Sequence, residues 1–415
     1  MSWQKFALKD IAPAEPSRFQ FHPEEIVWHL TLDQIESNTG FIIGKRMAPA
    51  SDIGSSTFTF DDENVLYSKL RPYLNKVIHP REPGIATTEL IPLRPRKNLL
   101  DADYLTYYLR SNYFLGFAKQ CVAGVKMPRI IMAKFWEHRL PLPPLSEQRQ
   151  IVEILDQADA LRKKRAEADA KAERILPALF HKMFGDPATN PKGWKVAEMR
   201  EIIAETRNGL YKHGDYFGRG TQILKMFNIR DGELNLERID LVEVDDEEFE
   251  NYKLDVGDIL LNRVNTPELV GKCAVITPEL GRAIFESKNI RIRIKRNLAD
   301  PDYVAYYLNC PFGHATLRQG VKHAIGMATI NNSDLRTTLI PLPPLEQQKA
   351  WGEAVRQFRS IRKDRNASKK KLYLLFSNLL HRAFSGDLTA KWREAHAKEL
   401  LAEMKEQAKL LDKIH

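Results

Sequence analysis

Cysteine is scarce in this chain: Cys121, Cys273 and Cys310 are all it carries in 415 residues. They are scattered, with no Cys-x-x-Cys pair and no histidine at matching spacing, which excludes a disulfide framework and argues against a zinc site. No run of 18 apolar residues occurs, and the opening MSWQKFALKDIAPAEP has no apolar signal core. A protein of the reducing cytoplasm is therefore expected. The loops of nucleotide chemistry are missing as well. There is no Gly-x-x-x-x-Gly-Lys-Ser/Thr, and no glycine-rich strand-to-helix turn that would offer a dinucleotide or S-adenosylmethionine pocket.

Three fragments resemble catalytic motifs without their context. NCPF (309–312) is one residue from the Asn-Pro-Pro-Phe signature of amino-methyltransferases, but it ends a tyrosine-rich helix pattern. Glu286-Ser287-Lys288 has the Glu-x-Lys spacing of metal nucleases, with no convincing acidic partner before it. His181 and His381 repeat near helix ends, where capping or packing suffices to explain them. The expectation is no catalytic residue and no metal site in this chain.

What is present is bulk, charge and repetition. At 43% hydrophobic and 28% charged, the chain can bury real cores. Its net charge of +9 suits a polyanionic partner, though it also fits a plain basic protein. LPLPPLSEQRQIVEIL (140–155) returns as IPLPPLEQQKAWGEAV (340–355). Around it, ADYLTYYL (102–109) matches PDYVAYYL (301–308), and VLYSKL (65–70) matches ILLNRV (259–264). HKMFGD (181–186) matches HRAFSGD (381–387), and WQKFALKDI (3–11) resembles WKVAEMREI (194–202). A period near 200 is too long for a stacked solenoid and implies two copies of a domain-plus-helix unit.

The helices are read from periodicity. From Ile154, steps of four and three reach Ala158, Leu161, Arg165, Ala168, Ala172, Ile175 and Leu179. The second set is Ala354, Phe358, Ile361, Arg365, Ser368, Leu372, Leu375 and Leu379. Matching 3/4 seams favour two helices packed on each other in a coiled coil over two that each pack on their own domain. Pro141, Pro143 and Pro144 forbid helix before Leu145 and give a stiff strut, with Ser146 as the expected N-cap. Pro177 predicts a kink or break near 173–177.

The globular parts read as mixed α/β. Strand-like runs include VLYSKL, ELIPLRP, GDILLNRV and IRIRIKR, the last predicting an Arg/Lys-rich sheet face. DADYLTYYLRS reads as a helix with tyrosines on one side. Helix is expected again from about Lys391, with Leu401, Met404, Ala408 and Leu411 as a stripe wanting a partner.

The order domain, helix, domain, helix resembles the specificity subunit of type I restriction–modification systems. So do PLPPLSEQRQIVEIL, with Gln148 and Gln348 in the repeated motif, the HKMFGDPATNPKGW junction and the HRAFSGDLTAKW ending. The resemblance covers nearly the whole chain. It implies an α+β fold: two similar mixed α/β target recognition domains separated by two long antiparallel coiled-coil helices, in a pseudo-two-fold repeat. The expected boundaries are recognition domains at 1–145 and 187–345, spacer helices at 146–186 and 346–386, and a helical tail at 387–415. It further implies double-stranded DNA as ligand and two methyltransferase subunits carrying S-adenosylmethionine as partners. Restriction subunits carrying ATP, magnesium and the nuclease complete the implied assembly. Each domain would read one half of an asymmetric bipartite site, as symmetric dimers read half-sites.

Basic loop clusters at repeated places are the DNA-binding candidates, since Lys and Arg pair with phosphate and Arg and Asn can read bases bidentately. In the first domain they are Lys45, Arg46, Lys69, Arg71, Lys126 and Arg129. In the second they are Arg207, Asn208, Tyr211, Lys212, Arg263, Asn265, Lys322 and His323, with GVKH (320–323) taken as the counterpart of GVKM (124–127). Two other readings stay open from sequence: a coiled-coil scaffold that binds only proteins, and an enzyme with an unrecognised site.

Overall fold

In the computed structural model the described residues are 3–319, 322–324 and 326–412, with only the backbone described for 322–324. The chain forms two compact units. The first holds residues 1–168 and 367–415, the second 169–366. Each is built on the same plan.

In the first unit, strand Gln4–Ala7 pairs antiparallel with Arg139–Leu142, Gln4 opposite Leu142, so the globule is closed where its two ends meet. Between them lies a four-stranded sheet in the order 47–49, 26–30, 84–87, 57–60, and a three-stranded one in the order 77–78, 65–68, 90–93. Asp101 caps helix Ala102–Arg110 by accepting from the backbone of Asp103 and Tyr104. The spacing of Tyr104, Tyr107 and Tyr108 puts all three on one face, which is buried.

The second unit repeats these devices. Lys195–Glu198 pairs with Leu339–Leu342, Lys195 opposite Leu342. Asp300 caps helix Pro301–Asn309 and Tyr303 and Tyr307 are buried. A four-stranded sheet runs 203–208, 289–294, 259–262, 273–275. The basic face expected of IRIRIKR is not a surface. Arg291 is buried and Arg293 half-buried, held by Glu205 at 2.7 and 3.1 Å, with Asp258 3.1 Å from Arg293. Burial pushes the Asp258 carboxyl up, while Arg291 and Arg293 oppose that shift. The two arginines are thus consumed by structure.

Both proline-rich stretches end in long helices, Leu145–Ala172 and Leu345–Ser385. Helix starts at Leu145, so Ser146 is inside the first turn rather than its cap. Gln148 does the anchoring instead. Its buried amide donates to Pro143 O and Leu99 O, both at 2.8 Å, and accepts from Asp101 N. Gln348 repeats this with Pro343 O at 2.8 Å and Asp300 N at 3.1 Å. The break expected near Pro177 falls at Glu173–Arg174, and helix resumes over Ile175–Phe184 with Pro177 in its first turn, where a missing N–H costs nothing.

The buried stripe coincides with the expected seam at Phe358, with Ala158, Leu179 and Leu379 partly buried, and elsewhere lies about one position away from it. Gln148, Ile151, Leu155, Asp159 and Arg162 point inward, and Leu161 and Ile175 are exposed. On the second long helix Trp351, Val355, Phe358, Phe376 and Leu380 are buried, while Ile361 and Leu375 are exposed. Within the first unit the helices run in opposite directions, with Arg162 stacked over Tyr373 and Phe376. Within the second, Arg365 grips Asp169 at 2.7 Å, Arg362 reaches Glu173 at 2.8 Å, and Phe180 packs edge-on against Trp351. The C-terminal segment folds as helices Ala390–Ala395 and Ala397–Leu411. Of the expected stripe Leu411 is buried, while Leu401 faces out and its neighbour Leu400 is buried instead.

Candidate nucleic-acid interface

The two units share one local construction that gathers cations. In the first, the edge of strand Val65–Ser68 continues to Lys69, whose carbonyl accepts from Ile130 N at 2.9 Å. Leu70 bridges Arg129, and Arg71 N donates to Pro128 O at 2.7 Å. In the second, Arg263 O accepts from Ile330 N at 2.9 Å, and Val264 pairs with Thr329. Lys69 and Arg263 therefore sit at the same place, where a core strand meets a β-hairpin. Ser68 Oγ donates to Leu70 O in one unit, and Asn262 Nδ2 donates to Val264 O in the other.

The hairpins themselves are Val122–Ala123 with Arg129–Ile130, and Lys322–Ala324 with Met327–Thr329. Because Ile130 and Ile330 hold equivalent places, the register between units is 200 residues here. Across the hairpin Arg129 pairs with Ala123 and Thr329 with Lys322, so Lys322 and His323 match Ala123 and Gly124, not Lys126 and Met127, and the equation of GVKH with GVKM is shifted by three. The backbones of Lys322 and His323 pair with Thr329 and Ala328, and their side chains lie outside the described residues.

The remaining candidates divide by their partners. Lys69, Arg71 and Lys126 make no ion pair among the described residues, and Arg71 and Lys126 are exposed. Arg71 also has φ of 48°, a conformation that non-glycine residues adopt only where the surroundings impose it. Arg129 is held bidentately by Glu89 at 2.7–3.2 Å, and that contact keeps the Glu89 carboxyl below its usual range. Lys45 is paired with Glu82 and lies over Trp28, and Arg46 is 3.3 Å from Asp33. These two belong to the sheet bearing Trp28, away from the hairpin crossing in the strand order.

In the second unit Tyr211 is 79% exposed. Asn208 accepts from Asn332 Nδ2 at 3.5 Å, which ties its strand end to the helix Asn332–Thr337 that follows the hairpin. Arg207 is 3.3 Å from Glu205, and Lys212 is 2.7 Å from Glu248 and over Tyr216. Arg263 makes no ion pair among the described residues, and its Nη1 donates to Ser287 O at 3.3 Å. Asn265 is a correction: it is buried and donates to Asn262 Oδ1 at 2.6 Å while accepting from Thr266 N. Its amide is spent inside the fold, because a buried amide left unpaired is costly.

Sequence reasoning picked Lys126 of the hairpin tip but missed its apolar neighbours. Val125 and Met127 are exposed beside Lys126, and the only signal was a β-branched residue after a glycine in a loop. The two weak motif fragments are tied into the fold. Asn309 accepts from Cys273 N at 3.1 Å and donates to Cys273 O at 2.9 Å, and Glu286 accepts from Met226 N at 2.6 Å. No group of three metal-ligating side chains occurs among the described residues, and no helix is long and apolar enough to cross a membrane.

Residues 53–169 match the family described as the type I restriction modification DNA specificity domain. Over 340 residues the chain is 27% identical to the type I restriction enzyme EcoKI specificity subunit of Escherichia coli K12, covering 78% of this chain and 73% of that relative. It is 26% identical over 338 residues to the StySPI specificity subunit of Salmonella potsdam, with the same shares covered. In fold it is similar to a type I restriction–modification S subunit from M. genitalium, with a TM-score of 0.56 at 11% identity over 92% of this chain and 96% of that one. A chain from a structure of type I R-M complex assembly gives a TM-score of 0.54 at 18% identity, covering 93% of this chain and 98% of that one.

Proposed function

We infer that this chain belongs to the type I restriction–modification specificity-subunit family and serves as the DNA-reading subunit of such a complex, each unit recognising one half of a bipartite site. The observation that carries this is the repeated strand-to-hairpin crossing, which puts Lys69 and Arg263 on the same backbone bonds in two units of different sequence. A common frame with different side chains is what reading two different half-sites requires.

The chemistry then belongs to partners. Two methyltransferase subunits would carry S-adenosylmethionine, and restriction subunits would carry ATP and magnesium. The long helices and the helix Ile175–Phe184 offer partners exposed apolar side chains in each unit: Leu161, Leu374 and Leu375 in the first, Ile175 and Ile361 in the second. Helix length would set the unread spacer between the half-sites. A scaffold binding only protein, one of the two other readings open from sequence, gives no role to two crossings of unpaired cations.

The test is to co-express the chain with its neighbouring methyltransferase and map methylated adenines across a genome. One split motif is expected, and exchanging residues 187–345 for those of a relative should change one half only. Methyl transfer by the purified chain alone, or both halves changing together, would count against the reading.

A further inference from the structure

The geometry points to the tip of the hairpin Val122–Ile130 as the element that reads a thymine 5-methyl group in the major groove of the first half-site, through Val125 and Met127. This rests on the DNA-reading function inferred above and names the side chains that carry part of it.

Val125 is 99% exposed, and Val122 and Met127 on the same hairpin are 37% and 49% exposed. Single exposed apolar residues are ordinary on a protein surface. Three on one short hairpin, with a valine wholly out of the fold, are not accounted for by packing. The tip is nonetheless held in place. Its base is tied by Arg71 N to Pro128 O at 2.7 Å, by Ile130 N to Lys69 O at 2.9 Å and by the Leu70–Arg129 bridge. Gly124 turns the chain with φ of 91°, and an added Cβ there would lie 3.2 Å from Met127 O. Lys69, Arg71 and Lys126 flank the tip and form no ion pair among the described residues.

A two-stranded ribbon fits the major groove, and the apolar mark displayed there is the thymine methyl, which apolar side chains contact directly. The flanking cations would hold the backbone phosphates on either side, fixing the tip over the base edges. A minor-groove wedge is the competing use of an exposed apolar tip. Wedges are bulky residues driven between base steps, whereas Val125, the residue wholly out of the fold, is small and sits on a glycine turn, and Met127, of a wedge type, is only 49% exposed. In the sequence Ile325 and Met327 stand 200 positions after Val125 and Met127, and Ile325 lies outside the described residues.

The experiment uses the chain in complex with its methyltransferase partner and selects preferred sites from randomised duplexes, for the natural protein, Val125→Ser and Met127→Ser. The natural complex should prefer thymine at one or more positions of the first half-site, and replacing that thymine by uracil should weaken binding roughly four-fold, the discrimination one buried methyl supplies. Val125→Ser should erase the thymine preference and the uracil sensitivity at that position. The second half-site preference should persist, which shows that the variant is folded. A first half-site unchanged in Val125→Ser overturns the proposal and leaves the DNA-reading function standing. So does a first half-site that shows no thymine preference, or 2-aminopurine unstacking that disappears with Val125→Ser, which marks a wedge. A complex without sequence preference in either half overturns both.

Discussion

Arg393 Nε lies 2.7 Å from Glu147 Oε1, so the C-terminal segment is latched to the first turn of the first long helix. Glu147 is buried, and it also accepts from Thr389 Oγ1 at 2.7 Å and from Trp3 Nε1 at 3.0 Å. One carboxylate thus joins both ends of the chain to the first unit. Removing it leaves a largely buried guanidinium unpaired. Glu147→Ala should destabilise the first unit by about 3 kcal/mol, seen as a lower denaturation midpoint and early proteolysis within 387–412. The counterpart in the second unit, Gln347, is exposed, so Gln347→Ala should change stability by under about 0.5 kcal/mol.

Arg263 and Asn265 are two residues apart and should behave oppositely. Asn265→Ala removes a buried hydrogen-bond partner of Asn262 and should cost about 1–3 kcal/mol while leaving the target motif intact. Arg263→Ala should barely move stability. It should either relax the second half-site or lower the salt slope of DNA binding by about one. Calorimetry and motif mapping separate the two, and an Arg263 variant with unaltered binding removes that residue from the interface.

Glu89 neutralises Arg129 beside the unpaired Lys69 and Arg71. Lys69→Ala and Arg71→Ala should each reduce the slope of log affinity against log salt by about one. Glu89→Gln removes a negative charge and releases Arg129, so it should tighten binding to all sequences. Weaker binding by Glu89→Gln would mean that the pair is structural.

His138 supplies a pH test. Its ring meets Tyr108 Oη at 2.8 Å and packs against Phe114 and Phe117. Burial, aided by nearby Lys5, pushes its pKa down to about 4. The unfolded chain, with an ordinary histidine near 6.5, takes up the proton first as pH falls. Stability from the neutral ring is therefore complete above about pH 6.5 and is lost progressively between there and about 4. Urea midpoints at pH 7 and pH 5 should differ by less in His138→Gln, which cannot titrate, than in the natural chain. Equal differences would show that His138 is not the group responsible.

Repetition made the architecture legible. Pairs such as Tyr104 with Tyr303 and Gln148 with Gln348 announced a doubled unit because the same buried bonds are needed twice. The helix seam is legible only in part: Phe358 is buried and Ala158, Leu179 and Leu379 pack on the cores, but apolar Leu161 and Ile361 face out, while the buried stripe carries polar Gln148, Asp159 and Arg162. Charge was the poorest guide to the site. Arg291 and Arg293 look like a basic face, but carboxylates distant in sequence neutralise them. Asn265 looked free for the same reason: its partner Asn262 is visible only once the strand end is folded. The tip residues Val125 and Met127 were invisible because an exposed apolar side chain in a loop carries no signal until its surroundings are seen.

Helix length should set the spacer, and the unit boundaries show where to test it. They fall at 168/169 on the first long helix and at 366/367 on the second. Insert seven residues after Ala168, duplicating 162–168, and seven after Asn366, duplicating 360–366. Every contact within the first unit, including Arg162 over Phe376, is kept, and so is every contact within the second, including Arg365 with Asp169. A heptad preserves the 3/4 alternation, where four residues would shift it. Seven residues add about 10 Å at a rise of ~1.5 Å each, or near three base pairs at ~3.4 Å. The spacer in the methylated motif should lengthen by about that amount, with both half-sites unchanged. Inserting into the first helix alone should instead set the two helices out of register and chiefly destabilise the protein. A folded, active double insertion that keeps the original spacer would sink the ruler and leave the helices as a platform for partner subunits.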